Sequence, residues 1–90
     1  MHETLISRSV EDNANMLVPF YLMCSYAYYV EDKPLVSDAY YDDLAKHLLR
    51  EYDRIHHRHI SCISKDMLRA GTFLGKYPSI VEGAVNDFRQ

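Results

Sequence analysis

The densest apolar stretch of the chain runs from Met16 to Val30 and is interrupted only by Pro19 and Ser25. From Phe20 onward nearly every position is apolar or aromatic, so a helix there has no polar face to offer water and must be surrounded by other elements or covered by a partner. The stretch is shorter than the roughly 20 residues needed to cross hydrocarbon, and no membrane span is expected. Upstream, Ser9-Val10-Glu11-Asp12 predicts a helix start, because serine caps well and acidic side chains suit the positive end of the helix dipole. Pro19 lacks an amide hydrogen and predicts a kink or a restart near Asn15.

The apolar run ends at Glu31-Asp32-Lys33-Pro34, where the proline disfavours helical geometry at the residue before it. Ser37 then caps a second helix, along which Tyr41, Leu44, Ala45, Leu48, Leu49, Tyr52 and Ile55 recur at three- and four-residue spacing. His56-His57-Arg58-His59 is expected to end that helix, since cationic side chains suit its negative end. Ser64 to Ala70 predicts a short helix stopped by Gly71. Ser79-Ile80-Val81-Glu82, directly after Pro78, has capping-box spacing and predicts a last helix through Phe88. Nothing alternates with period two for long. The pattern therefore predicts an all-α domain spanning residues 1–90, with three main helices plus a short one. A helix-loop-helix pair covers about 20–52 and C-terminal helices about 64–89.

Composition narrows the function classes. With 48% hydrophobic and 26% charged residues the chain is ordinary globular material. Ten basic residues are scattered against thirteen acidic ones, for a net charge of -3, which argues against direct nucleic-acid binding through phosphates. Tyrosines crowd the segment from Tyr21 to Tyr41, yet their neighbours are acidic, whereas single-strand binders pair aromatics with a basic groove. Cys24 and Cys62 have no C-x-x-C or zinc spacing and the start has no secretory pattern, so a reduced, cytoplasmic protein is expected. His56, His57, His59 and Cys62 carry metal-type donors, but four closely spaced ligands rarely close a tetrahedron without a distant pair, and no metal is expected. Gly71 and Gly75 lack the Lys-Ser/Thr of a phosphate loop.

The run Tyr28-Tyr29-Val30-Glu31-Asp32-Lys33-Pro34-Leu35-Val36-Ser37-Asp38-Ala39-Tyr40-Tyr41-Asp42-Asp43-Leu44 follows the pattern Y-[HY]-x-x-D-x-P-x-[IV]-[ST]-D-x-x-Y-D-x-L without a gap. In this it resembles the N-terminal helical subdomain of NAD-dependent bacterial DNA ligases, which grips the nicotinamide mononucleotide (NMN) half of NAD. The resemblance covers about Phe20 to Tyr52, roughly a third of the chain. It implies nicotinamide-nucleotide contacts at Tyr28, Asp38, Tyr41 and Asp42, and at Tyr29, which stands where many ligases have histidine. There a phenol reaching farther from the backbone replaces an imidazole hydrogen bond.

The physics of the residues is compatible with such a ligand. Oxidised nicotinamide is a flat cation, suited to aromatic faces and nearby carboxylates, and Asp38 and Asp42 share a helix face with Tyr41 beside them. Acidic residues in a first helical turn are also favourable without any ligand, and both tyrosines fit plain core positions. The K-x-D-G motif whose lysine takes AMP is missing, because Lys33, Lys46, Lys65 and Lys76 all lie in other contexts. A ligase's zinc finger, helix-hairpin-helix and oligonucleotide-binding barrel have no room either. No catalytic residue is expected, and the chain resembles one ligase subdomain at most.

Leu68-Arg69-Ala70-Gly71-Thr72 with Tyr77-Pro78-Ser79 resembles small bacteriophage proteins of unassigned role, which implies a phage-encoded protein in a host cytoplasm. Three roles follow as expectations. The chain is a stand-alone relative that binds NMN or NAD or docks on a larger protein; or a helical interaction or homodimer module without a ligand; or one chain of a split ligase.

Overall fold

The computed structural model describes residues 2–71, 73 and 75–89. Its α-helices are α1 (Glu3–Asp12), α2 (Leu17–Tyr29), α3 (Asp38–Glu51), α4 (Lys65–Ala70) and α5 (Ile80–Arg89), with single 3-10 turns at Ala14–Met16, Tyr52–Arg54 and Ile60–Cys62. The fold is all-α, with no strand among the described residues.

The apolar helix α2 lies at the centre. Phe20 through Ser25 and Ala27 are all buried within the one chain. The amphipathic α5 covers one side, where Phe88 meets Phe20 edge-on at 5.6 Å between ring centroids, and α3 covers another through Tyr41, Leu44, Ala45 and Leu48. Of the two ways the sequence left for covering this helix, other elements or a partner, the chain's own elements supply the cover over most of its length. α3 and α5 each turn an apolar face toward α2, and Phe73, outside both helices, packs edge-on against Tyr21. Only the last turn of α2 emerges, with Tyr28, Tyr29 and Val30 at 38%, 45% and 56% exposure.

The first helix also differs from expectation. Ser9 does not cap a helix. It sits inside α1 and its hydroxyl donates to the Leu5 carbonyl, 3.1 Å away. Ile6 and Val10, one turn apart, anchor α1 to the core, too short an apolar stripe to announce a helix. The cap is Asn13, whose side chain accepts from the Asn15 amide at 3.0 Å and opens the 3-10 turn leading into α2. Pro19 therefore restarts the helix rather than kinking it. It occupies the first turn of α2, where the missing amide hydrogen forfeits no intrahelical bond.

Downstream, α3 ends at Glu51, ahead of the histidine run. Tyr52 and Ile55 continue the apolar stripe, but from a 3-10 turn and then extended backbone, with Ile55 buried. His56 to His59 thus lie in a loop rather than at a helix end. Its entrance is held by the Asn15 side chain, which accepts from the His56 amide at 2.9 Å. The short helix α4 forms as expected, with Ser64 accepting from the Met67 amide and Gly71 ending it at φ 74°.

The loop between α2 and α3 is clamped from two sides. From α1, Glu3 accepts from the Ser37 amide at 3.0 Å and the His2 amide donates to the Leu35 carbonyl at 3.0 Å. The Ser37 amide holds the Glu3 carboxyl below the usual range. From α5, Arg89 pairs with Glu31 at 2.9 Å and donates to the Lys33 carbonyl. Asp32 takes the left-handed conformation, φ 54°, that Asp tolerates better than most residues.

Candidate functional site

Where α2 ends and α3 begins, the five side chains singled out from the sequence come together. Tyr28 and Tyr29 from the last turn of α2, and Asp38, Tyr41 and Asp42 from the first turns of α3, line one depression of about 220 Å³. Ser37 positions the α3 side by accepting from the Tyr40 amide at 3.2 Å, so the helix begins at Asp38 and places Asp38 and Asp42 one above the other.

The aromatic wall is ordered. Tyr28 and Tyr41 lie parallel, 6.2 Å between centroids and 4° between planes, and Tyr21 continues the stack beneath Tyr41 at 5.3 Å and 11°. Tyr29 stands across this stack, 4.9 Å from Tyr28 at 75°. Offset-parallel and edge-on arrangements are those that aromatic quadrupoles favour. Tyr28 and Tyr29 are free to meet a ligand. Tyr41 is only 5% exposed, so it serves as floor.

The floor is locked from below. The Tyr41 and Ser25 hydroxyls are 2.6 Å apart, and Ser25 is a buried polar residue of the core. Burial raises the Tyr41 phenol far above its ordinary value, a rise the bond to Ser25 partly offsets. Tyr21 is raised too, chiefly by burial, and its fully buried hydroxyl has no partner in hydrogen-bond geometry. The Tyr41 hydroxyl is therefore turned into the core, and only the edge of its ring reaches the depression.

One lining residue lies outside the segment of resemblance. Gly71, at the end of α4, closes the far side, and a β-carbon there would come within 3.9 Å of Asp42 Oδ1. Sequence reasoning recognised Gly71 as a helix stop from its residue type, but its approach to α3 is a long-range contact without a local signal. Among the described residues no basic side chain lines the depression. Two carboxylates, three phenol rings and a glycine edge can hold a flat cationic or hydrogen-bonding ring.

No family model, curated protein or solved structure matches the chain.

The remaining sequence candidates fall elsewhere. His57 and His59 have ring centroids 5.4 Å apart, and His57 Nδ1 is occupied as acceptor for the His59 amide at 3.1 Å. Burial, followed by the charges of His59 and Arg58, pushes the His57 imidazole down. Among the described residues no three His, Cys, Asp or Glu side chains are placed to share a metal ion. No helix among them is long and apolar enough to cross a membrane.

Proposed function

We propose that the depression between α2 and α3 binds the nicotinamide ring of a pyridine nucleotide, NMN or NAD, as the resemblance to the ligase subdomain implies. The observation that carries this reading is the convergence of Tyr28, Tyr29, Asp38, Tyr41 and Asp42 on a single depression. Tyr28 and Tyr29 supply open aromatic surface, worth about 0.5–2 kcal/mol to a cation, and the two carboxylates complement the charge of the oxidised ring. The protein holds the nucleotide and does not cleave it, since the chain has no lysine in an AMP-accepting motif. In a split ligase, a partner chain would bring that lysine.

Calorimetric titration with NMN, on the unmutated protein and on Tyr28→Phe, tests the proposal. Saturable binding that survives the loss of one hydroxyl is expected, because the ring face is retained. The absence of heat and of competition at millimolar NMN would remove it.

Docking on a larger protein or on a second copy is the second reading. It is favoured by one observation, the emergence of Val30 at 56% exposure beside Tyr28 and Tyr29. Sedimentation at several concentrations distinguishes a homodimer, whose average mass rises with concentration and falls on Val30→Lys.

A further inference from the structure

A second concavity, of about 190 Å³, opens between α2, α5 and the loop carrying residues 57–59. Its floor is apolar, with Leu22, Met23 and Val81 buried and Ala84 beside them. Ile80, 60% exposed, stands at its edge. The rim is basic along three consecutive residues, His57, Arg58 and His59, and among the described residues no acidic side chain lines the groove. Arg58 is exposed and takes part in no ion pair among the described residues, whose pairs use Arg54, Lys65, Arg69 and Arg89.

Two further details sharpen the polarity. Because His57 Nδ1 accepts from the His59 amide, a neutral His57 ring carries its hydrogen on Nε2 and is a donor. The groove also meets the first residues of α5, Ile80 and Val81, at the positive end of that helix dipole. The chain as a whole has a net charge of -3, so a basic rim beside an apolar floor is a local departure from the rest of the molecule.

We propose that this groove binds a small amphipathic carboxylate, with an aryl or branched alkyl group on the Leu22–Met23–Val81 floor and its carboxylate at Arg58 and His57. Charge complementarity selects the anionic end, since a neutral ligand would leave the unpaired guanidinium unused. The volume selects a small molecule. At about 190 Å³ the groove lies below the roughly 300–1,000 Å³ of drug-sized sites and holds little more than a phenyl ring with a short chain. The site shares no residue with the nicotinamide depression and stands independently of it.

Amide chemical shifts of the full chain, titrated with 4-phenylbutyrate and separately with 4-phenylbutan-1-ol, test the assignment. The alcohol keeps the ring and removes the charge. The acid is expected to give saturable shifts at Leu22, Met23, His57, Arg58 and Val81, with the alcohol about ten-fold weaker. Arg58→Gln, a change at an exposed side chain, is expected to weaken the acid about five-fold and leave the alcohol unchanged. Equal affinity for acid and alcohol would overturn the proposal, as would shifts confined to Tyr28 and Asp38 or no saturable response to the acid. Binding at this groove by a Leu-Phe peptide flanked by glutamates, without binding of 4-phenylbutyrate, would overturn it in favour of a protein-docking surface.

Discussion

The hydroxyl of Tyr41 on α3 lies 2.6 Å from that of Ser25 on α2, buried in the interface between the two helices. This bond spans sixteen residues of sequence and fixes the ring that floors the candidate site. Ser25→Ala leaves the Tyr41 hydroxyl buried beside the already unpartnered hydroxyl of Tyr21, and is expected to cost about 1–3 kcal/mol in urea unfolding. Adding Tyr41→Phe removes the orphaned group, so the double variant is expected to recover much of that loss. An equal or larger loss in the double variant would show that the bond is not the source.

Alkaline pH is expected to destabilise the fold. Burial pushes the Cys24 thiol from 9.0 to about 12, and the Tyr77 phenol, again chiefly through burial, from 10.0 to about 12. Tyr21 and Tyr41 move in the same direction. In each case the unfolded chain ionises first, so the native state binds more protons. Stability is then fully present below the unfolded values and falls as pH rises, from about 9 for the thiol and about 10 for the phenols. Between about pH 9 and 12 the buried thiol alone contributes a slope of up to about 1.4 kcal/mol per pH unit. Urea midpoints measured from pH 8 to 11 check this, and Cys24→Ala is expected to flatten the decline between pH 9 and 10.

Gly71→Ala places a side chain where φ is 74°, and is expected to cost about 1 kcal/mol through that backbone alone. The new methyl group also stands 3.9 Å from Asp42 Oδ1, on the edge of the depression. Nucleotide affinity is therefore expected to fall more than in Gly83→Ala, whose β-carbon meets nothing within 4 Å. Calorimetry on both variants makes the comparison.

Asp38 distinguishes charge from shape. It is exposed, so solvent screens it, and Asp38→Asn is expected to weaken the oxidised, cationic nicotinamide about two- to five-fold while changing the reduced, neutral ring little. Parallel titrations with NMN and its reduced form read the difference. Equal losses would contradict the charge argument.

Local signals carried most of the fold. Ser37 caps the helix it was expected to cap, Gly71 stops α4, whose cap is Ser64, and the stripe from Tyr41 to Leu48 faces the core. The resemblance implied the five candidate site residues together, while helix spacing by itself grouped only Asp38, Tyr41 and Asp42, because Tyr28 and Tyr29 lie on another helix. The misses arose where tertiary contacts decide. Ser9 looked like a cap, but Ile6 and Val10 anchor a helix that begins before it. The histidine run looked like a helix end, but burying Ile55 draws the chain into an extended path first. Ser25 carried no signal, since its partner lies on another helix, and neither did the approach of Gly71 to Asp42.

The central claim is that the depression at the α2–α3 junction holds a nicotinamide ring, and an amide chemical-shift titration of the full chain with NMN tests it most directly. Saturable shifts are expected at Tyr28, Tyr29, Asp38, Tyr41, Asp42 and Gly71, with Arg58 and Val81 in the other groove unmoved. No shift at the first set with millimolar nucleotide, or shifts confined to the second, would contradict the claim.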